Sequence, residues 1–263
     1  MADARTASAL RPRSASEIVD AAFQIFRAHP AAFLTCSAVA YVPALLVRLL
    51  LVGDVSRFQS PDVAQIGEFA RLSAYSSLAS VLSYALMTSL VAVAASQAYL
   101  GEVVDIGVAM RRMLAHLPSL LLATAIVVAL TLVGLVLLLA PAMYVTARYF
   151  AVTPAIMLEE LGTLAAMARS TELSRGRKWH VLNTIGLVLL IYFVVFIGVA
   201  ALSALLGGFM VQALFASLVT ILLYPVVAIT GMLLYYDARI QSEGLDIELM
   251  AAALDPVSGA AVP

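Results

Sequence analysis

Apolar residues are concentrated in four long blocks separated by shorter polar segments. Two blocks have the length of one bilayer-crossing helix, since about 20 apolar residues span about 30 Å of hydrocarbon. The other two, 117–158 and 181–236, are about twice as long. Pro141 and the pair Gly207–Gly208 divide them, because proline lacks a backbone donor and paired glycines favour turns. The pattern predicts six spans, at 31–52, 74–100, 118–139, 141–158, 181–206 and 211–236.

A shorter amphipathic segment precedes each odd-numbered span, and apolar residues recur in it at helical spacing. Ser14 with Glu17 has the spacing of a capping box, and Asp105 and Thr163 are the predicted caps of the next two segments. Gly176 is predicted to end the third. Such helices typically lie in the bilayer interface. Interfacial helices are therefore expected at 15–28, 105–116 and 163–175.

The order of these elements suggests three repeats of one unit, an interfacial helix followed by a helical hairpin. The alternative is that the short helices are plain connectors between spans, which periodicity alone does not exclude.

Composition supports a membrane protein. The chain has 263 residues, of which 63% are hydrophobic and 12% charged, against about 45–50% and about 25% in soluble domains. We therefore expect an all-α, polytopic membrane protein with a membrane domain at 14–239. The segments 1–13 and 240–263 are expected to be a disordered N-terminal tail and a cytoplasmic C-terminal tail.

Charge and residue counts disfavour several partners. The formal net charge is −1, which gives no global attraction to nucleic acid. One cysteine and three scattered histidines provide neither a disulfide nor a zinc-binding spacing. No cofactor, metal or nucleic-acid partner is predicted.

The distribution of cations predicts the orientation. Of the 15 arginines and lysines, Arg48 and Arg148 fall inside spans, and Arg57 and Arg71 fall on the side opposite the termini. All others lie on the side of both termini, which the positive-inside rule places in the cytoplasm. Anionic lipid headgroups are the expected partners of this face. Its predicted interface residues are Arg27, Arg111, Arg112, Arg175, Arg177, Lys178 and the aromatic anchor Trp179.

Three segments resemble the glycerophosphoryl diester phosphodiesterase membrane domain family: "SEIVDAAFQIFRAHP", "TPAIMLEELGTLAAMARSTELSRGRKW" and "LLYYDARIQSEGLDIELM". The most specific pattern, D-x-R-x-x-x-E-G-x-D-[IL]-E, runs from Asp237 to Glu248. The resemblance covers nearly the whole chain and implies a six-span protein of the bacterial plasma membrane, the inner membrane.

The resemblance does not imply an enzyme. In that family, hydrolysis belongs to a separate soluble barrel domain whose metal site opens with a His-Arg dipeptide. Here His29, His116 and His180 are followed by proline, leucine and valine. We expect the catalytic domain to be absent, and the membrane domain itself brings no established activity.

Arg148 is the main candidate for a functional side chain. A charge at the centre of a span costs at least about 2.5–3.5 kcal/mol, and Tyr144 lies one turn before it on the same face. Either the guanidinium snorkels to the outer headgroups or is hydrogen-bonded internally, or it contacts an anionic ligand or lipid phosphate. Arg48 lies near the outer end of its span, where snorkelling is expected.

Further polar residues lie on the second and last spans. Tyr84, Thr88 and Gln97, with Thr220 and Tyr224, either line a cavity or bond across helices. A stripe of small residues on the second span is expected to pack inside the bundle rather than at a dimer seam: Ala85, Ser89, Ala92 and Ser96. The pair Glu159–Glu160 is expected to be a solvated rim and not an acid–base site.

Two functions remain open. The first is a non-enzymatic accessory, lipid-associated or assembly and scaffold protein, with lipids and another membrane protein or complex as partners. The alternative is a transporter or channel for a lipid-like or small amphipathic solute, which predicts a midplane cavity lined by Arg148, Tyr84 or Tyr224. An intramembrane enzyme is disfavoured because no nucleophile–base pair is visible.

Overall fold

The protein is helical throughout its described part. The computed structural model describes residues 13–55, 66–206 and 209–243, and these contain ten helices and no strand. The helices are α1 Ala15–Ala28, α2 Pro30–Val55, α3 Ile66–Tyr99, α4 Ile106–Ala115, α5 Leu117–Leu137, α6 Leu139–Arg148, α7 Val152–Leu158, α8 Thr163–Leu173, α9 Lys178–Leu206 and α10 Phe209–Glu243.

Five of these helices, α2, α3, α5, α9 and α10, are long and apolar enough to cross a membrane. Helix α9 exposes large apolar side chains along its length, Leu190, Val194 and Ile197 among them. Water-soluble monomers rarely expose an apolar surface this extensive. An all-α membrane protein is therefore confirmed.

Three helical hairpins form the bundle. Helix α2 packs against α3, α5 against α6, and α9 against α10. The second hairpin turns at Leu138, three residues before the predicted division, so that Pro141 lies in the first turn of α6 and costs no intrahelical hydrogen bond. The contact is close: a Cβ atom on Gly134 would lie 2.8 Å from the backbone nitrogen of Ala142.

The prediction of one continuous helix at 141–158 is wrong, because the chain leaves the helix after Arg148 and resumes at Val152. Pro154 explains the restart, since a proline in the first turn needs no N–H partner. Ser170 of α8 satisfies the backbone at the break. Its hydroxyl donates to the Arg148 carbonyl at 2.9 Å and accepts from the Ala151 N–H at 3.1 Å.

The two ends of the described chain meet. The backbone N–H of Arg13 donates to Asp237 Oδ1 at 3.1 Å, and Gln241 Nε2 donates to Asp237 Oδ2 at 2.7 Å. The start of the described chain therefore packs against the C-terminal part of α10.

The short helices begin largely as expected. The capping box of Ser14 and Glu17 is present, and Asp105 Oδ1 accepts from Gly107 N–H at 2.7 Å. Thr163 is not a cap: Gly162 takes that position, and the Thr163 hydroxyl donates to the Ser119 carbonyl of α5. Gly176 adopts a positive φ of 73° in the turn between α8 and α9, a conformation that glycine adopts readily.

Several boundaries differ from the predictions. Helix α3 begins at Ile66 and not at 74, and α10 continues to Glu243, past the predicted end of the membrane domain at 239. The longer helices retain their hydrogen bonds beyond the apolar segment, so hydropathy marks the lipid-facing part only. Residues 1–12 of the tail predicted at 1–13, the turn at Gly207–Gly208 and the segment 244–263 lie outside the described residues, whereas Arg13 is described and bonds to Asp237.

Candidate functional site

A cavity of about 240 Å³ lies between α3, α5, α10 and the start of α7. Its lining residues come from the middle of α3, α5 and α10 and from residues 149–153 at the start of α7. They are Val81, Tyr84, Ala85, Thr88, Ala123, Thr124, Val127, Val128, Tyr149, Val152, Thr153 and Tyr224. Half of them carry a hydroxyl group, the others are valine or alanine, and none is charged. The cavity therefore suits an uncharged, weakly polar group.

Two tyrosines form one wall of this cavity. The rings of Tyr84 and Tyr224 stack with centroids 4.9 Å apart. The Tyr224 and Thr88 hydroxyl oxygens are 3.2 Å apart, and Thr88 also donates to the Tyr84 carbonyl at 2.8 Å. Tyr84 and Tyr224, both predicted from the sequence, are thus cavity residues; their rings stack across helices, and Tyr224 also bonds across helices to Thr88.

Three other hydroxyl groups of the cavity lining are free to bond a ligand. Within the described part of the chain, the side chains of Thr124, Tyr149 and Thr153 have no hydrogen-bond partner. Tyr149 and Thr153 flank the break between α6 and α7, so the irregular backbone borders the cavity. Sequence reasoning missed these three residues, although Pro154 signals that the helix is interrupted nearby.

Arg148 lies beside the cavity and not in its lining. Its Nε donates to Thr171 Oγ1 of α8 at 3.2 Å, and its Nη1 donates to the Tyr144 hydroxyl at 3.3 Å. Its guanidinium carbon is 5.7 Å from the centroid of the Tyr149 ring. The guanidinium is therefore hydrogen-bonded internally, to α8 and to the preceding turn of its own helix.

Lys178, the first residue of α9, shares Tyr144 with Arg148. Its Nζ is 4.2 Å from the centroid of the Tyr144 ring. We call Arg148 and Lys178 the cation pair. Among the described residues, neither has a carboxylate within ion-pair distance.

Arg48 and Gln97 hold helices together. Arg48 Nη1 donates to the Ala213 carbonyl and to Ser217 Oγ of α10, at 3.5 and 3.4 Å. Arg48 therefore bonds to a neighbouring helix, close to the start of α10. Gln97 Oε1 accepts from the Asp105 N–H at 3.0 Å and so ties α3 to the cap of α4, away from the cavity.

The small-residue stripe on α3 packs inside the bundle, as predicted. All four side chains, Ala85, Ser89, Ala92 and Ser96, are buried. Ser96 Oγ and the Tyr236 hydroxyl are 2.7 Å apart, which joins α3 to α10. Small side chains permit this close approach of the helices.

A group of ion pairs, which we call the carboxylate network, lies where α7, α8 and α10 meet. Its members are Glu159, Arg169, Arg239 and Glu243. Arg169 Nε donates to both Glu159 oxygens at 3.0 Å, and Arg169 also pairs with Glu243. Arg239 Nε bonds Glu243 at 3.0 Å and lies 3.8 Å from Glu159, which also accepts from the Tyr235 hydroxyl.

The network shifts the pKa of Glu243. Burial raises this pKa, but hydrogen bonds from Arg169 and Arg239 outweigh burial and lower it overall. Glu159 is thus not a freely solvated rim residue, whereas its neighbour Glu160 is largely exposed and only 3.7 Å from Arg112. Arg239 and Glu243 have the i,i+4 spacing of a helical ion pair, but the contacts with α7 and α8 carried no sequence signal.

The other residues predicted at the cytoplasmic interface fall into two sets: some bond to backbone carbonyls, and the others are exposed. Arg112 Nη1 donates to the Met157 carbonyl at 3.3 Å, and Arg177 Nη1 donates to the Ala238 carbonyl at 2.9 Å. Exposed members are Arg27, Arg111, Arg175 and Trp179. The exposed set is the part of this group free to contact headgroups.

Comparison with known proteins gives no match: no family model, no curated protein and no solved structure is significantly similar to this chain. The resemblance to the glycerophosphoryl diester phosphodiesterase membrane domain family therefore stays a prediction.

Proposed function

We propose that this chain is a non-enzymatic, lipid-associated protein of the bacterial plasma membrane. In this proposal it crosses the bilayer six times, with both termini in the cytoplasm, and holds the uncharged part of a lipid-like molecule between α3, α5, α7 and α10. The meeting of Arg13 and Asp237 and the placement of the cations support the topology.

The cavity is the observation that carries this proposal. Its aliphatic walls favour an apolar chain, and the unpartnered hydroxyls of Thr124, Tyr149 and Thr153 suit an ester, ether or alcohol group. A volume of about 240 Å³ is below the roughly 300–1,000 Å³ of sites that enclose a drug-sized ligand. The cavity therefore fits one segment of a larger amphipathic molecule.

A non-catalytic role agrees with the titratable groups. Glu159 and Glu243 are engaged by Arg169 and Arg239, and the cavity lining contains no charged side chain. General acid–base chemistry most often uses a histidine, carboxylate or lysine within hydrogen-bond reach of the bound molecule, and the polar groups of this lining are tyrosine and threonine hydroxyls. We propose that the protein binds and presents a lipid to an accessory partner.

Transport is a second candidate, favoured by one observation. The break between α6 and α7 borders the cavity, and discontinuous helices flank the midplane sites of many transporters. In that case, movement of α6 and α7 about residues 149–151 would expose the cavity alternately to the two sides.

Substitutions in α5 that narrow the cavity test this proposal. Val127→Phe adds a ring to the cavity, whereas Leu130→Phe makes a similar change on an exposed position of the same helix. Native mass spectrometry of the full chain, purified in mild detergent, measures retained lipid. We expect Val127→Phe to lower retention about tenfold, the effect of about 1.4 kcal/mol, and Leu130→Phe to leave it unchanged.

Equal retention in both variants, with both folded, would contradict lipid binding in the cavity. Liposomes that contain the purified chain separate the two candidates. Flux of a lipid analogue that Val127→Phe abolishes favours transport, and retention without flux favours the accessory role.

A further inference from the structure

We propose that the cation pair, together with Tyr144, binds the phosphate group of an anionic phospholipid. This site lies outside the cavity and stands whether or not the cavity holds a ligand. Arg148 and Lys178 come from different helices yet converge on one aromatic ring, at 3.3 Å to its hydroxyl and 4.2 Å to its centroid. Two like charges repel, so their convergence favours an anion between or beside them.

The polar groups that remain free at this site are hydrogen-bond donors. The Thr171 hydroxyl donates to the Met167 carbonyl at 2.9 Å and accepts from Arg148 Nε, so it orients the guanidinium. The Tyr144 oxygen accepts from Arg148, which leaves its own proton free for a ligand. Arg148 retains further N–H groups, and Lys178 has three. A phosphate diester offers only acceptors and carries one negative charge, which matches this set.

Charge neutrality separates this site from Arg169 and Arg239, which lie at the same end of the bundle. Arg169 and Arg239 are paired with glutamates, but within residues 13–55, 66–206 and 209–243 no carboxylate neutralises Arg148 or Lys178. Lys178 also begins the 29-residue helix α9, whose dipole adds positive potential there. The protein thus leaves two adjacent positive charges for an external anion.

The surroundings favour a lipid as the source of the phosphate. Tyr144 is 45% exposed, and Trp179, next to Lys178, is 76% exposed. Exposed tryptophans are typical of the membrane–water interface, where phospholipid headgroups lie. A headgroup phosphate that diffuses in the bilayer therefore reaches the site without leaving the membrane.

The test measures headgroup preference. The full chain is placed in nanodiscs that contain phosphatidylglycerol and phosphatidylcholine, and native mass spectrometry counts the bound lipids of each kind. We expect a preference for phosphatidylglycerol that falls about tenfold in the double variant R148Q/K178Q, the loss of about one charge-assisted hydrogen bond. Lys178→Arg should preserve most of the preference, because the positive charge remains.

Arg175→Gln is the matched control. It removes one charge from the same turn, but Arg175 is exposed and makes no contact with Tyr144. We expect it to leave the preference within about twofold, as a screened surface charge does. Equal losses in Arg175→Gln and Lys178→Gln would overturn the proposal, because they would indicate general attraction to an anionic surface. No loss in R148Q/K178Q would overturn it as well.

Two further measurements complete the test. Inorganic phosphate, added at increasing concentration, should not displace the bound phosphatidylglycerol; displacement would retain the phosphate site but overturn the lipid as its source. Val127→Phe should leave the headgroup preference intact. A preference lost in Val127→Phe but kept in R148Q/K178Q would locate the lipid in the cavity alone and overturn the separate site.

Discussion

Arg169 and Arg148 are both fixed by α8, but they are neutralised in different ways. Arg169 belongs to α8 and forms ion pairs with Glu159 and Glu243. Arg148 contacts α8 through Thr171, and its other partner is the hydroxyl of Tyr144. The carboxylate network therefore satisfies its own charges, whereas the cation pair does not.

This difference indicates two roles for charge in one membrane protein. The carboxylate network joins three helices, and removing one member takes an opposite charge away from side chains that are only 18–27% exposed, which is destabilising. Removing a member of the cation pair leaves no opposite charge behind. Stability should therefore depend on the first group, and binding of an external anion on the second.

The largest expected effect is that of Glu159→Gln. The Glu159 and Arg169 side chains are only 18% and 19% exposed, and the variant leaves Arg169 and Arg239 without this carboxylate. We expect the free energy of unfolding to fall by about 3 kcal/mol, as for other broken ion pairs with little exposure. Unfolding of the full chain by titration with sodium dodecyl sulfate, followed by circular dichroism, measures it.

Glu160→Gln is the control at the adjacent position. The Glu160 side chain is 59% exposed and 3.7 Å from Arg112, so this change should cost at most about 0.5 kcal/mol. Similar losses in the two variants would show that the network is no more important than a surface ion pair.

A smaller effect is expected at the break beside Arg148. Ser170→Ala removes both hydrogen bonds that satisfy the Arg148 carbonyl and the Ala151 N–H in a fully buried position. Leaving buried backbone groups without partners should lower the free energy of unfolding by about 2 kcal/mol. The same titration measures it.

Ser80→Ala is the matched change, since the Ser80 hydroxyl donates only to the carbonyl of Ser76 one turn earlier. It should be nearly neutral. If Ser170→Ala were equally neutral, the break would not depend on α8, and Arg148 would not be held in its position from that side.

Acidification should weaken the carboxylate network. The pKa of Glu243 is lowered in the folded protein by Arg169 and Arg239, against the opposing effect of burial. Its contribution is therefore complete above the ordinary glutamate pKa of about 4.3 and disappears as the pH falls through the lowered folded value. We expect the free energy of unfolding to fall by about 1 kcal/mol when Glu243 becomes protonated.

Unfolding titrations between neutral pH and the acidic side of the ordinary glutamate pKa measure this loss. Glu243→Gln should be less stable than the wild type at neutral pH and should lose less stability on acidification. An unchanged acid response in Glu243→Gln would mean that the arginines do not stabilise the ionised Glu243.

The sequence predicted the helical hairpins because lipid imposes the length and the composition of each span. It also contained the signal for the broken helix, since Pro154 is tolerated most easily in a first turn. Tyr84 and Tyr224 were predicted as cavity candidates, but Thr124, Tyr149 and Thr153 were not. A cavity is a gap in packing between helices, and no local pattern marks it.

Tertiary pairing explains the other failures. Glu159 and Arg169 lie 10 positions apart on different helices, and Glu243 is far from both in the chain. Hydropathy shows only that these charges lie outside the apolar blocks. For Arg148, the sequence supplied the charge and the neighbouring Tyr144, but not the contact with Thr171, which depends on how α8 folds back beside α7.

Among the main predictions, the smallest effect on stability is expected for Lys178→Gln. This variant distinguishes the cation pair from the carboxylate network most directly. Lys178 has no carboxylate partner among the described residues, and it contacts Tyr144. Loss of an exposed cation–π contact costs roughly 0.5 kcal/mol, and relief of repulsion from Arg148 offsets part of it. The free energy of unfolding in detergent should therefore change by less than about 0.5 kcal/mol, whereas Arg169→Gln should lose about 3 kcal/mol. A loss in Lys178→Gln as large as that in Arg169→Gln would show that the cation pair is a structural element, and the contrast with the carboxylate network would disappear.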